Sequence, residues 1–594
     1  MNKKRERQLP PWASTAHAVR NTFLENFRET EKNGDERGSS CAIAVVIERK
    51  DTHHGLSPTT ITTPRLPYHM ASERDPLLGP TDVVSGEDEE LTGESFDNVP
   101  KSKRQLGLYS AVFLIFNRII GTGIYATPSV ILRASGSVGV ALIMWIVGAT
   151  IAAAGTAVFI ELGTGLPRSG GEKNYLEFMY RRPKFLITCI YTIYAVVTGT
   201  AAANSIVFGE YTLHALAIEP TSFNARFIAW LSLTSVVLVH GTWLQFGLRL
   251  QNALGLVKLL ILSSIALCGL LSLAGVPRLA VKDEYEPPDN FKWDKFWEGS
   301  RTDANSFVSG LYNVTWSFNG YSTANYALSE VRDPVKTIKR AAPIAMITVT
   351  AIYLFINIGY FAVVSKGDIL GSKRIVAALF FRNLFGEAAE RTLSAFVAFS
   401  TMGNLLASQF GASRVIQELG REGLLPWSSF FASSKPFNAP LAGLFTQYLL
   451  SCAFMVLPPA SDAYLFMISL SSYSVAVVNL FVSLGLLLLY TPAYRSWEWK
   501  PPFRAHTVVV VSFFISNVFL VAVPLIPPAS NARTYDRLPY WSHVVTSLGL
   551  SIIGIIYWYL KTVWVPRRRG YELHREWVLQ DDGVSRFVFR KTVI

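Results

Sequence analysis

An interrupted apolar segment near residue 120 constrains the fold of this chain more than any other feature. Residues 116–131 read FNRIIGTGIYATPSVI, so Gly121, Gly123 and then Pro128 break a segment of membrane-spanning length. In hydrocarbon an unpaired backbone N–H or C=O group is costly, and broken backbone persists at that depth only where protein or a water-filled cavity surrounds it. The break is therefore a candidate binding site.

A second interruption occurs in the sixth apolar segment, where residues 316–321 read WSFNGY. This position corresponds to the first break if the core consists of two five-helix halves. Interrupted hydrophobic segments at corresponding positions of two halves are typical of secondary transporters built from inverted repeats. The pattern predicts a LeuT-like 5+5 core in which helices 1 and 6 are broken.

Composition and segment length predict an all-α integral membrane protein. Half of the 594 residues are hydrophobic and only 16% are charged, which excludes an ordinary soluble protein of this length. A helix needs about 18 to 25 apolar residues to cross a hydrocarbon core of about 30 Å. Twelve such segments lie near residues 106–133, 138–163, 185–214, 226–243, 251–275, 304–328, 341–365, 391–412, 440–458, 462–490, 506–526 and 541–563. Two C-terminal helices thus follow the ten of the core.

The sequence divides into three predicted regions. Residues 1–103 are rich in Pro, Ser, Thr and charge, which predicts a disordered tail. Residues 104–565 form the twelve-helix domain, and residues 566–594 form a C-terminal tail. Basic residues flank the first, second and sixth helices at Lys101, Lys103, Arg104, Arg168, Lys173, Arg181, Arg182, Lys184, Arg332, Lys336, Lys339 and Arg340. Basic loops favour the cytoplasmic side, so we predict that both tails are cytoplasmic.

The two breaks offer groups that suit a zwitterion. Unwinding frees N–H groups at the start of the following half-helix, and these suit a carboxylate. Carbonyl groups at the end of the preceding half-helix suit an ammonium group. Gly121 and Gly123 let a ligand approach the backbone itself, which a Cβ atom would obstruct. The alternative is that both glycines form a small-residue packing seam between helices.

Three stretches of the sequence resemble those of a known transporter family. They are IIGTGIYATP at residues 119–128, ELGTGLPRSGGE at 161–172 and YNVTWSFNGYSTANYALSEVRDP at 312–334. They are similar to the L-type amino acid transporter branch of the amino acid–polyamine–organocation superfamily, and the similarity extends over about residues 104–565. Within that branch, ASRVIQELGREGLLPW at 412–427 and TANYALSE at 323–330 resemble fungal methionine permeases.

The resemblance implies a set of substrate-binding residues at the two breaks. They are Ile120, Gly121, Thr122, Gly123 and Ile124 in the first helix, and Trp316, Ser317, Phe318 and Asn319 in the sixth. An aromatic residue at the position of Trp316 acts in relatives as a lid over the substrate. This chain has Trp where animal relatives often have Phe, and Asn319 where they often have Gly. A bulkier lid and an extra side chain favour a slim, flexible substrate, which fits methionine but also leucine and cysteine.

Three polar residues within predicted helices are further candidates. Asn204 and Asn404 could complete the pocket or could form hydrogen bonds between helices. Lys258 is the only charged residue in its apolar segment, and such residues usually mark an ion or proton pathway. The resemblance implies proton coupling at Lys258, because proton-coupled relatives have a lysine where sodium-coupled members bind an ion. The alternative is that Lys258 snorkels toward the membrane surface.

The predicted function is proton-coupled uptake of methionine or a related neutral amino acid by alternating access. Amino acid exchange, polyamine transport and a non-transporting nutrient receptor remain as alternatives. An enzyme is not expected, because no nucleophile with its base, no metal-ligand cluster and no P-loop is present. No cofactor is expected either. Glu161, at the end of the second helix, is interpreted as a carboxylate that holds a loop or as a proton carrier.

Short motifs bear on localisation and partners. We predict the plasma membrane, although residues 73–78, ERDPLL, resemble a dileucine signal that would direct the protein to the vacuolar membrane. The acidic run at residues 87–90 resembles tail regions through which fungal permeases recruit ubiquitin-ligase adaptors, or it is a solvated charge run. Animal relatives bind a heavy chain through a cysteine in the loop that corresponds to residues 214–226. That loop has no cysteine here, so no disulfide-linked heavy chain is expected.

Overall fold

The computed structural model of this protein is built almost entirely from helices. It describes residues 106–579 and 585–593, except for short gaps at 286–287, 327, 329–330, 373, 436, 460, 498 and 529–534. The predicted disordered tail and its sorting and ubiquitin-related motifs lie outside the described residues.

Within the described residues before 304 there are ten α-helices. In chain order they are α1 (Leu108–Ile119), α2 (Gly123–Ala126), α3 (Pro128–Ser135), α4 (Val138–Gly165), α5 (Glu172–Met179), α6 (Leu186–Thr198), α7 (Ala202–Ala215), α8 (Ser222–Thr242), α9 (Leu244–Leu273) and α10 (Trp293–Phe296). The remaining helices are α11 (Ala304–Ser317), α12 (Thr323–Tyr326), α13 (Pro334–Val363), α14 (Lys366–Gly371), α15 (Val376–Phe385), α16 (Glu387–Arg421), α17 (Ser428–Ala432), α18 (Leu441–Val456), α19 (Ala463–Leu489), α20 (Thr507–Ala522), α21 (Ser542–Trp558) and α22 (Val565–Arg569). Two strands, β1 (Tyr571–Leu579) and β2 (Ser585–Val593), end the chain.

Within the described residues, nine helical stretches are long and apolar enough to cross a membrane. They are Leu108–Ala126, Val138–Gly165, Leu186–Ala215, Ser222–Thr242, Leu244–Leu273, Pro334–Val363, Ala463–Leu489, Thr507–Leu525 and Ser542–Arg569. Each coincides with one of the twelve predicted segments. The predicted ninth segment is the shorter apolar helix α18. The predicted sixth and eighth segments fall on α11, which has only 14 residues, and on α16, and neither helix is among the nine stretches.

The first predicted helix is divided into α1, α2 and α3, as its glycines and proline indicated. Helix α1 ends because Ile120 adopts an extended conformation, with φ −73° and ψ 98°. Thr127 separates α2 from α3, and Pro128 occupies the first turn of α3. The first N–H groups of a helix have no partner within it, so the missing N–H group of proline costs no hydrogen bond there.

The sixth predicted helix is broken after Ser317, and its continuous part is shorter than the predicted range of 304–328. Residues 318–322 form the break before the short helix α12. Gly320 has a φ of +127°, and a Cβ atom there would lie 2.7 Å from Cγ of Arg118. Both the backbone conformation and the contact with the first broken helix therefore require glycine at this position.

The third predicted helix is also interrupted, which the sequence did not indicate. The predicted continuous range of 185–214 is two helices, α6 and α7, separated by residues 199–201. At this interruption the backbone N–H of Ala201 donates a hydrogen bond to Oγ of Ser451, 3.2 Å away. A neighbouring helix thus satisfies part of the backbone exposed by this break, as a membrane environment demands.

The C-terminal segment corrects the all-α prediction. Strands β1 and β2 form an antiparallel hairpin in which Tyr571 pairs with Val593 and Leu579 with Ser585. An isolated hairpin is at best marginally stable, and this one packs against the helical domain. The ring of Phe589 lies 4.7 Å from that of Phe185, and its backbone N–H donates to the carbonyl oxygen of Glu422 at 3.2 Å.

Candidate functional site

A cavity of about 90 Å³ lies between the two predicted breaks. Seven of the ten predicted substrate-binding residues line it: Gly121, Thr122, Gly123, Trp316, Ser317, Asn319 and Asn404. Further lining residues include Arg118, Ile119, Asn204, Ser408, Met467 and Ser471. The unpredicted break at residues 199–201 contributes Gly199 and Thr200, with Thr198 and Ala203 beside them. Three interruptions of the backbone therefore meet at one cavity.

The other three predicted residues do not line the cavity. Ile120 and Ile124 have no exposed surface and Phe318 has 1%, and all three belong to the hydrophobic core. Their side chains point away from the cavity because neighbouring residues in a break face different directions. Packing of these large apolar groups instead fixes the backbone of the two breaks.

Asn204 takes both of the roles considered for it. Its Oδ1 atom accepts a hydrogen bond of 2.6 Å from the hydroxyl of Thr122, which joins α7 to the first break, and it also lines the cavity. Asn404 differs, because its buried Oδ1 atom has no hydrogen-bond partner among the described residues. A buried amide oxygen without a partner is costly, so Asn404 is an acceptor available to a ligand.

The two broken helices touch at Gly123 and Ser317. A Cβ atom at Gly123 would lie 2.8 Å from Cβ of Ser317 and 3.0 Å from its Cα, closer than packing allows. The hydroxyl groups of Thr127 and Ser317 also lie 3.3 Å apart across this contact. Gly123 is therefore both a packing contact between helices and part of the cavity wall, so the two interpretations of the glycine are compatible.

The side chain of Lys258 reaches the first break from α9. Its Nζ atom donates a hydrogen bond of 2.5 Å to the carbonyl oxygen of Ile120, and only 2% of the residue is exposed. The ammonium group is thus directed into the break, whereas snorkelling would direct it toward the membrane surface. Lys258 holds one of the carbonyl groups that unwinding has freed.

Arg118 is a cavity residue that was not among the predicted ones. Its guanidinium group donates to the hydroxyl of Ser408 at 2.9 Å, which joins α1 to α16. The sequence does contain an indication of this role, because Arg118 is a charged residue within an apolar segment and precedes the break by two residues. A cation at this position suits a substrate carboxylate.

Comparison with known proteins identifies the family. A sequence profile described as amino acid permease matches residues 106–550, which contain all three breaks. The chain belongs to the amino acid permease family. This permease is accordingly a multi-pass membrane protein, and the predicted membership of the amino acid–polyamine–organocation superfamily is confirmed.

Three named relatives are similar to the permease over most of their length. The high-affinity methionine permease of Saccharomyces cerevisiae is 42% identical over 86% of this chain and 88% of the relative. The low-affinity methionine permease of the same yeast is 30% identical over 82% and 88%. The human b(0,+)-type amino acid transporter 1 is 27% identical over 80% and 91%. These relatives are permeases and transporters, not enzymes.

On one side of the cavity, a partly buried ion pair links three helical regions of the permease. Arg374, just before α15, binds Glu210 of α7 through two contacts, one of them 2.6 Å from Nε to Oε2. The guanidinium group also lies 4.7 Å from the ring centre of Tyr464 in α19. Tyr464 in turn makes an edge-to-face contact with Trp316, at 6.4 Å between ring centres. The ion pair is therefore connected to the cavity wall.

Glu172 of α5 lies beside the residues that follow Ser317 in the second break, and it accepts hydrogen bonds from three hydroxyl groups. The donors are Tyr326, Ser322 at 3.0 Å and Tyr191 at 3.5 Å. Burial raises the pKa of Glu172, and the hydrogen bond from Tyr326 opposes the rise. Glu172 thus ties the start of α5 to Ser322 and Tyr326, within and just after the second break.

We expect Glu172→Gln to change how stability depends on pH. Because the pKa of Glu172 is raised on folding, the native state binds a proton more readily than the unfolded state, and wild-type stability falls as pH rises through the raised pKa. Glutamine does not titrate, so the stability of the variant relative to wild type rises with pH. Thermal unfolding of the two proteins in detergent at a series of pH values measures this difference. The exposed Glu219→Gln is the control, and parallel curves for Glu172→Gln and wild type would contradict the prediction.

Proposed function

We propose that this permease takes up methionine across the plasma membrane by alternating access, driven by the inward movement of protons. The observation that supports this function best is the cavity between the two broken helices, which is lined by Gly121, Gly123, Ser317 and Asn319. The similarity to two yeast methionine permeases supports the choice of substrate.

The cavity has complementary groups for both charges of an amino acid. The backbone at the start of α2 and the nearby Arg118 provide a positive environment for the carboxylate. The ammonium group is held by the free Oδ1 atom of Asn404 and by carbonyl oxygens of the second break. Met467 and the ring of Trp316 flank the remaining space, and both suit an unbranched thioether side chain.

Trp316 and Asn319 limit the size of the substrate side chain. Both residues also line a second cavity of about 40 Å³, so their side chains separate the two spaces. We expect the double variant Trp316→Phe and Asn319→Gly to join these spaces and to admit aromatic amino acids. Inhibition of methionine uptake by phenylalanine measures the effect, and the inhibition constant should fall at least about tenfold. Trp243→Phe, at an exposed tryptophan, is the control, and unchanged inhibition in the double variant would contradict this role.

The proposed architecture has twelve spanning helices, ten of which form two inverted five-helix halves. Helices α11, α16 and α18 supply the three spans beyond the nine long apolar stretches. The ion pair between Arg374 and Glu210 closes the extracellular side above Trp316. The hydrogen bonds of Glu172 close the cytoplasmic side. Alternating access would open these two closures in turn.

Lys258 is the proposed coupling residue. Its ammonium group is buried against the first break, so its charge affects the same backbone that contacts the substrate. Release of a proton there would weaken a hydrogen bond to backbone next to the cavity, and uptake of a proton would strengthen it again. Exchange of amino acids needs no such step, and the absence of an acidic residue among the cavity-lining residues within the described chain argues against a polyamine.

We also propose the orientation, location and partners of the permease. Both tails are cytoplasmic, and the N-terminal tail recruits ubiquitin-ligase adaptors. The vacuolar membrane is the alternative location, supported by the dileucine-like sequence at residues 73–78. The permease acts without a disulfide-linked heavy chain.

Uptake by the purified protein in liposomes tests the proposed function. An inward proton gradient is imposed, and accumulation of radiolabelled methionine is measured alone and with an excess of each other amino acid. Accumulation displaced only by methionine and its sulfur relatives supports the proposal. Counterflow into preloaded liposomes without gradient-driven uptake would identify an exchanger. Binding without either form of transport would identify a receptor.

A further inference from the structure

The hydroxyl group of Tyr353 connects the C-terminal ends of α1 and α11, the half-helices that precede the two breaks. It donates to the carbonyl oxygen of Ile119 at 3.2 Å and to that of Ser317 at 3.1 Å. These are the last residues of α1 and α11, so one tyrosine in α13 contacts the end of each half-helix. Tyr353 has no exposed surface.

The ends of the two half-helices need such a donor. The last carbonyl groups of a helix have no partner within it, and they form the negative end of its dipole. Two such ends that approach each other away from water would repel and would remain unsatisfied. The hydroxyl hydrogen of Tyr353 lies between them and interacts favourably with both.

The ring of Tyr353 is held firmly enough to determine the spacing of these ends. Its centre lies 5.5 Å from the ring of Trp145 in α4 and 5.1 Å from that of Phe318 in the second break. Both rings are buried. Ile119 and Ser317, whose carbonyl groups the hydroxyl contacts, are themselves part of the cavity wall. A shift of the hydroxyl group would therefore change the width of the cavity.

We propose that Tyr353 is a positioning residue for substrate binding, and this inference rests on the proposed function of the cavity. The tyrosine does not line the cavity itself. Its hydroxyl holds the carbonyl ends of α1 and α11 at the separation that lets Gly121 and Ser317 contact one substrate from opposite sides. Loss of the hydroxyl lets the two half-helices separate, which weakens substrate binding and leaves the rest of the protein folded.

Tyr353→Phe tests this role, because it removes the hydroxyl and keeps the ring. The same helix offers a matched control in Tyr360, which also has no exposed surface but whose hydroxyl has no hydrogen-bond partner among the described residues. We expect Tyr353→Phe to raise the KM for methionine about tenfold with little change in the maximal rate. Tyr360→Phe should have the KM of wild type.

Thermal unfolding of the purified proteins separates this role from a purely structural one. For wild type, each of the twenty amino acids is tested for the increase that it causes in unfolding temperature. With the amino acid that stabilises wild type, Tyr353→Phe should show a much smaller increase. Without ligand it should still unfold in one cooperative transition, at a temperature somewhat below that of Tyr360→Phe because two carbonyl groups have lost their donor. An equal ligand-dependent increase or an unchanged KM in Tyr353→Phe would overturn the inference alone. No increase with any amino acid in wild type would overturn the proposed function and this inference together.

Discussion

Gly123→Val is expected to abolish amino acid binding and transport while the protein still inserts into the membrane. A Cβ atom at Gly123 would lie 2.8 Å from Cβ of Ser317, and the two further methyl groups of valine would add to this clash. Overpacking of this kind costs about 1–3 kcal/mol, and the nearby Cα atom of Ser317 belongs to backbone that cannot rotate away. The broken helices would be forced apart at the cavity.

Insertion should survive this substitution, because valine raises the hydrophobicity of the segment. The measurements are uptake into liposomes, stabilisation by methionine in thermal unfolding, and the amount of protein recovered from the membrane. Gly411→Val is a suitable control, because Gly411 lies in helix α16 and a Cβ atom there would meet no neighbouring group within 4 Å. Methionine uptake at the wild-type rate by Gly123→Val would show that the cavity between the breaks is not the binding site.

The two breaks were predictable because each has a local chemical cause. Gly121, Gly123 and Pro128 weaken a helix by their own conformational properties, and the structure divides the first helix at those residues. The third break gave a weaker signal, because Gly199 lies between two threonines in an otherwise helical pattern with no proline nearby. A single glycine in a helix is usually tolerated, so the sequence did not distinguish this interruption from a continuous span.

The contacts around the cavity could not be predicted from the sequence, because they join residues far apart in the chain. Tyr326 donates to Glu172, which precedes it by 154 positions, and Arg374 binds Glu210 at a separation of 164. Hydrophobic periodicity locates helices but does not say which faces meet. The interpretation of Glu161 as a carboxylate that holds a loop is supported, since it accepts hydrogen bonds from Trp499 at 3.0 Å and from the backbone N–H of Ala505 at 2.8 Å.

The C-terminal hairpin was not predicted from the sequence for a different reason. The sequence after Arg569 is short and charged, and this composition resembles that of a tail. Its strands pair with each other and also pack through Phe589 on the helical domain. Because packing on a distant part of the chain stabilises the hairpin, the local sequence alone does not reveal it.

Lys258→Ala is expected to remove the dependence of methionine uptake on external pH. The ammonium group is buried and donates to the carbonyl oxygen of Ile120, so a change in its protonation changes a contact within the first break. Arg118 is near enough to interact with Lys258 electrostatically, and it donates to Ser408 across the cavity. Arginine remains protonated in proteins, so Lys258 is the group of this pair that can release a proton.

Initial rates of uptake at acidic and at neutral external pH, with the membrane potential clamped, measure this effect. Lys561→Ala is a matched control, because Lys561 also donates to backbone carbonyl groups, those of Gly423 and Leu424, each at 2.6 Å, but these carbonyl groups follow α16 and belong to neither broken helix. The control should keep the pH dependence of wild type even if the loss of these hydrogen bonds lowers its unfolding temperature. If Lys258→Ala keeps the same dependence, Lys258 serves only to satisfy the carbonyl group of Ile120, and the proton enters by another residue. Loss of the dependence in Lys258→Ala alone would mean that the residue holding the broken helix also couples it to the proton gradient.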